Sequence, residues 1–300
     1  MNTSHPYRSM HVLLNGSSIF YRYRPGTSNI FISFLHGYPT SSLDYDSIIY
    51  KIPSKYHVIA HDHLGFGRSD KPISHEYRLN DQADLTCALY KTLDIKRIHI
   101  VAHDYGTSVA TELIARDNEG LLDFEICSVT LCNGSMLIDM AKLRLIQRLL
   151  KSKWTGNIVA HLSSKSTFHR NMKNIWYDKN LYRQTEMSAH WQLLISGNGR
   201  KVLSKITRYI DQRYQHYDRW IGALKQSKLP FHILWAENDP VAIVDMAYRL
   251  DKIIPNSSLS IIKECGHYPM IEKEKEWLDL LMEYINRNSR FKKKVSRFKV

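Results

Sequence analysis

The chain has 300 residues, 43% of them hydrophobic, which is ample for one sizeable core or a core with a lid. It carries 42 Lys+Arg against 29 Asp+Glu, a formal charge of +13, without any RNA- or DNA-binding motif, so no specific nucleic acid is expected. With no run of about 18 apolar residues and no basic-then-apolar start, neither a transmembrane helix nor a secretory signal is expected, and a cytoplasmic location is.

In chain order, residues 11–14 and 19–24 form a predicted hairpin around Asn15 and Gly16. Strands are then expected at 30–35, 57–60, 98–102 and 126–131, with helices at 80–93 and 107–116 between the later ones. Strand alternating with helix implies a mainly parallel sheet. From 136 to 225 the pattern turns helical and rich in Tyr, Trp and basic residues, with no convincing strand. This stretch reads as a helical lid, or cap, inserted between two strands of a core made of 1–135 and 226–300. The sheet resumes at 231–235 and 259–262, and 274–285 closes the core as an amphipathic helix. Four cysteines, Cys87, Cys127, Cys132 and Cys265, lack metal-ligand spacing and read as free thiols in a reducing compartment.

The segment from Ile98 to Ser108 is the most informative. An apolar strand runs into His103, Asp104, Tyr105 and Gly106, and a helical pattern follows from Thr107. Strand, sharp turn, helix is the setting of a nucleophile elbow. Ala102 and Gly106 hold the two positions that must be small where strand and helix backbones nearly touch. The tip residue is Asp104, not Ser. A carboxylate there displaces a leaving group at carbon and forms an alkyl ester, whereas a serine would form an acyl enzyme. Ser108 is a rival, flanked by Gly106 and Ala110, but it falls inside the expected helix.

Three further strand ends supply what an elbow needs. The strand to Leu35 ends in His36, Gly37, Tyr38 and Pro39, a loop able to aim the Tyr38 N–H at the reacting centre; with the Tyr105 N–H it would make an oxyanion hole. Asp239 follows the strand at 231–235, suited to orient a histidine. His267 follows the strand at 259–262, after Gly266. The order nucleophile, acid, histidine is that of α/β-hydrolases.

On these residues the chain resembles the α/β-hydrolase fold family, in its epoxide hydrolase and haloalkane dehalogenase branch. His36, Gly37 and Pro39 fit His-Gly-x-Pro; Asp62, Gly65, Gly67 and Ser69 fit Asp-x-x-Gly-x-Gly-x-Ser; His103, Asp104 and Gly106 fit His-Asp-x-Gly. A closer likeness within that branch rests on residues 103–106, 209–213 and 219–224. The resemblance implies a mainly parallel eight-stranded sheet flanked by helices with an inserted lid. It also implies Asp104, Asp239 and His267 as the catalytic set, Tyr38 and Tyr105 as oxyanion hole, and no metal or organic cofactor. A small-molecule substrate is expected, an epoxide before a haloalkane or an ester.

Opening an epoxide releases an alkoxide, which needs a proton donor. Relatives in this branch use two lid tyrosines; Tyr209 matches the place of one, with Tyr214 and Tyr217 as fallbacks. Near the other place stands only Trp154. The dehalogenase halide-binding Trp after the nucleophile is absent, since that position is Tyr105. A reading of another class is a non-catalytic, membrane-associated module acting through the basic tail at 287–300, for which weak contact with an anionic membrane is the expected partner. Oligomeric state is left open by the sequence.

Overall fold

In the computed structural model, which describes residues 8–141 and 143–290, eight strands form one sheet in the order β1-β2-β4-β3-β5-β6-β7-β8. β1 (Arg8–Leu14) and β2 (Ser17–Arg24) are the expected hairpin, turning at Asn15 and Gly16, and β2 pairs antiparallel with β4 (His57–His61). All later pairings are parallel: β3 (Phe31–Leu35) between β4 and β5 (Arg97–His103), then β6 (Glu125–Cys132), β7 (Phe231–Ala236) and β8 (Ser257–Ile262).

A parallel sheet is covered on both faces, so its strands read as continuous apolar runs. β7 illustrates the consequence. Ile233 and Trp235 join one core, while Leu234 and Ala236 join the other on the opposite face. Each fully buried Ile, Leu or Phe in such a sheet contributes about 1.5–3 kcal/mol of hydrophobic stabilisation. The parallel strands also share a direction, so the loops after β3, β5, β6, β7 and β8 emerge along one edge of the sheet. Ligand sites of open α/β sheets form at that edge.

The helices are α1 (Asp46–Ile49), α2 (Leu79–Thr92) and α3 (Tyr105–Asn118), then α4 (Leu145–Lys151), α5 (Gly156–Leu162), α6 (Lys165–Lys173), α7 (Gln184–Ile195), α8 (Gly199–Thr207), α9 (Tyr209–Gln215) and α10 (Tyr217–Gln226). After β7 come α11 (Val244–Ile253), α12 (Pro269–Glu272) and α13 (Glu274–Arg290). Helices α4 to α10 all lie between β6 and β7, and no strand occurs in the described residues of this insertion. Its inward side chains, Leu150, Phe168, Met172, Trp191 and Leu203, join the same core as Phe34 and Leu234 of the sheet.

One boundary differs from the sequence expectation. Helix α3 starts at Tyr105, not Thr107, because the whole reversal is made at Asp104 alone. Among the described residues no helix is long and apolar enough to cross a membrane. Most of the basic tail, 291–300, lies outside the described residues. All four cysteines are free thiols, three of them buried.

Candidate active site

The site is built on the turn between β5 and α3. Asp104 adopts φ 42°, ψ −104°, a sparsely populated region for a residue with a Cβ. Gly106 is required because a Cβ there would lie 2.3 Å from the Leu35 carbonyl oxygen. Gly37 is required on the facing loop, where a Cβ would meet the His103 ring at 2.7 Å. These contacts bring the β3 loop onto the turn, and the Tyr38 N–H donates to Asp104 Oδ2 at 3.0 Å. Tyr105, the first residue of α3, has an N–H without an intrahelical acceptor by position. Pro39 lines the cavity beside Tyr38, and His36 is buried behind the loop, its Nε2 accepting the His63 N–H at 3.0 Å.

Asp239 and His267 are brought together at the next strand ends. His267 Nδ1 donates to Asp239 Oδ2 at 2.7 Å. Oδ1 of Asp239 accepts from the N–H groups of Val241 (2.7 Å) and Ala242 (3.1 Å). Oδ2 accepts a further bond at 2.7 Å from the amide of Asn133, a residue at the end of β6 that the sequence reading did not pick out. Asn133 also takes the Ala236 N–H, so it ties the acid loop to the strand before it. Burial alone would depress the His267 pKa; the carboxylates of Asp239 and Asp104 outweigh it and hold the pKa above the usual histidine value.

His103 fixes the histidine loop from below. Its Nε2 donates to the His267 carbonyl at 2.8 Å, and burial pushes its pKa down to about 4, so at neutral pH the ring is neutral with its proton on Nε2. From above, the insertion holds the same loop: the His267 N–H donates to the Ile175 carbonyl at 2.9 Å. Glu272 accepts the N–H of Gly266 on one oxygen and of Tyr177 on the other. Burial pushes the Glu272 carboxyl up to about 7 against the pull of those donors. The loop carrying His267 is thus clamped between core and insertion, a role for Glu272 that only its place five residues after His267 hints at.

Arg213 of α9 is a third residue whose role sequence alone does not reveal, although it closes the 209–213 motif. Its buried guanidinium donates from Nε to Ser108 Oγ (2.8 Å) and from Nη2 to the Asp104 carbonyl (3.0 Å), with Nη2 3.7 Å from Asp104 Oδ1. A buried charge is costly unless paired, so Arg213 locks α9 onto the turn. It also occupies the hydroxyl of Ser108, which sits buried inside α3.

Tyr209 is buried, with its ring against Tyr38 and Tyr105 and the Arg213 guanidinium 4.6 Å from its centre. Burial, and then the Asp104 carboxylate, push its phenol pKa up. It stands beside the turn but does not line the cavity. Tyr214 is exposed, and the Tyr217 hydroxyl donates to Asp139, so neither fallback faces the site. Trp154 is exposed as well.

The cavity itself spans ≈ 770 Å³ including its mouth, and Asp104 and His267 both open into it. Its walls are apolar side chains of the insertion, Leu150, Phe168, Met172, Trp191 and Leu203; Gln147 and Asn171 add amides and Arg144 a cation. A largely apolar molecule fits such a lining, with a few polar groups to orient it.

The fold, the turn and the order of side chains at the strand ends define a class. The alpha/beta hydrolase fold pattern matches residues 32–274, and the chain belongs to that family. At 34% identity it is similar to the protein LipZ of Mycobacterium tuberculosis, over 89% of this chain and 92% of that one. At 32% identity it is similar to the mesoderm-specific transcript protein of Mus musculus, over 90% of this chain and 84% of its relative. Among solved structures, the haloalkane dehalogenase DbeA from Bradyrhizobium elkani superposes with a TM-score of 0.81 at 21% identity, covering 95% of this chain and 99% of that one. The epoxide hydrolase CorEH superposes with a TM-score of 0.77 at 17% identity, covering 94% and 99%. Likeness at that level concerns the fold.

Proposed function

We propose that the protein is a hydrolase in which Asp104 is the nucleophile, His267 the base and Asp239 the residue that orients it. The observation that carries this reading is the Asp104 carboxylate, held at a strained turn, open to the same apolar cavity as His267, with Oδ2 already on the Tyr38 N–H. Oδ1 attacks an electrophilic carbon; the carbon–oxygen or carbon–halogen bond breaks and an alkyl ester of Asp104 forms. Nε2 of His267 then takes a proton from water, and the resulting hydroxide adds to the ester carbonyl carbon. The developing oxyanion stays on the Tyr38 and Tyr105 N–H groups. Collapse expels the alkoxide, which takes the proton from His267 and leaves as the alcohol; the second proton of the water leaves the Asp104 carboxyl for solvent, or replaces the one given to an epoxide oxygen, and the carboxylate is restored. The insertion, residues 136–225, serves as the lid that excludes water from the apolar walls.

The first candidate substrate is an apolar epoxide; Tyr209 packs against Tyr38 and Tyr105 beside the turn rather than on the cavity wall, so its phenol has to turn toward the cavity to protonate the opening ring. A second reading has a specific observation behind it. Among the described residues no free phenol lines the cavity, since the Tyr38 hydroxyl is bonded to Thr207, while the amides of Gln147 and Asn171 do line it. Amide N–H groups can hold a departing halide but are poor acids, which suits a haloalkane. Turnover of an epoxide, a haloalkane and a carboxylic ester, each with an apolar chain, tests the whole reading; turnover of the ester alone overturns it. Tyr209→Phe separates the two carbon electrophiles. If the phenol protonates the alkoxide, epoxide turnover falls about 10²–10⁴-fold and haloalkane turnover far less. Equal losses assign Tyr209 to packing.

A pH profile follows from the raised pKa of His267. The base must be neutral to accept a proton, so kcat is expected to rise with pH along an acid limb centred above about 6.5. Asp239→Asn removes the larger of the two attractive charges and is expected to move that limb to lower pH while kcat falls. An acid limb unmoved by the substitution counts against His267 as the titrating group.

A further inference from the structure

The outer face of the insertion departs from what a water-exposed helix pair needs. Helix α4 buries Gln147 and Leu150, yet turns Leu145 (71% exposed) and Leu149 to solvent. Helix α5 buries Gly156 and Ala160, yet turns out Ile158 (61%) and Leu162 (78%). Between them, in the connecting turn, Trp154 is 90% exposed, whereas the other five tryptophans, Trp176, Trp191, Trp220, Trp235 and Trp277, are buried. The spacing is i, i+4 on each helix, so each pair forms an outward stripe. A helix with apolar side chains on its inner and outer faces is expected only where the outer face is also covered.

Charge says what covers it. Beside these side chains the sequence holds Arg148, Lys151, Lys153 and Lys165, and the next acid after them is Asp178. Among the described residues only Lys151 of these four has a carboxylate partner, Asp211. A second copy of this chain would oppose like charge with like. An anionic lipid surface complements it, and exposed Trp and Leu among Lys and Arg is the composition of segments that lie in a membrane interface.

We propose that the α4–α5 face of the insertion docks on an anionic lipid surface. Trp154, Ile158, Leu162 and the Leu145–Leu149 stripe enter the headgroup boundary, and the surrounding cations meet the lipid charge. The inner side of the same α4 lines the cavity through Ile146, Gln147 and Leu150, so docking sets the cavity one helix away from the lipid. This surface lies in a different stretch of sequence from the basic tail at 287–300, and the proposal does not depend on the hydrolytic reading.

The test uses the full chain and vesicles of phosphatidylcholine, alone or with about a quarter phosphatidylserine. Wild-type protein is expected to sediment with the anionic vesicles and hardly with the neutral ones. Binding should weaken in about 1 M salt, where screening acts within about 3 Å. Its tryptophan emission should shift to the blue on binding, and Trp154→Phe should remove the shift while leaving the binding. The triple variant Trp154→Ser, Ile158→Ser, Leu162→Ser keeps every cation and the tail and changes only exposed side chains. Its partition should fall by about a hundredfold or more with circular dichroism unchanged. Undiminished binding of the triple variant assigns the membrane contact to the tail and overturns the proposal. So does wild-type protein that ignores anionic vesicles, or that self-associates in a way the triple variant abolishes. Because no substrate is present, failure here leaves the hydrolytic reading untouched, and the reverse.

Discussion

Asp104→Ala is expected to abolish turnover, by about 10⁴-fold or more, as removal of a nucleophile does where the rest of the site acts only with it. The fold should survive. The φ of 42° is set by the close packing of Gly106 on Leu35, and Arg213 keeps its bonds to Ser108 and to the residue-104 carbonyl. Loss of the carboxylate leaves the guanidinium less well compensated, so a modest fall in Tm is compatible with the assignment and unfolding is not. Alanine is stricter than asparagine here, since an asparagine on a strained turn can deamidate back to aspartate. Rates on the best substrate, with circular dichroism as the control, decide the matter. Full activity of the alanine variant removes Asp104 from the chemistry. Ser108 would not inherit the role, because its hydroxyl is buried and held by Arg213.

His267→Gln should split the reaction into its halves. Alkylation of Asp104 needs no general base, so it proceeds. Hydrolysis of the ester needs one, and its loss is expected to slow that step by about 10²–10⁴-fold. The alkyl enzyme then accumulates. Intact-mass spectrometry after mixing with substrate should show one stoichiometric adduct, and peptide mapping should place it on Asp104. Glutamine can still donate to Asp239, whose other three bonds, from Asn133, Val241 and Ala242, are untouched. The variant therefore tests chemistry rather than folding. An adduct on a serine, or wild-type turnover with no adduct, contradicts the order of events.

The sheet, and the order of side chains along its edge, are legible in local sequence pattern. Strands such as 98–102 and 231–235 are apolar runs closed by turn residues, and a parallel strand buried on both faces has to read that way. His36 and Asp104 are legible because each directly follows such a run, Asp239 and His267 because each stands in the loop just after one, and Gly37 and Gly106 mark where backbones touch. Local pattern carries that information, so no tertiary knowledge was needed. Contacts between distant segments leave no such local mark. Arg213 reaches Ser108 across 105 positions and Asn133 reaches Asp239 across 106. Neither residue has a neighbour in sequence that announces a partner. The insertion was legible as helical, but the facing of its helices was not. Whether Tyr209 enters the cavity or packs beside it, and whether Trp154 lines the site or meets solvent, depends on how seven short helices pack together. Each of them is too short to fix its own orientation, and helical stability comes mainly from the faces that packing buries.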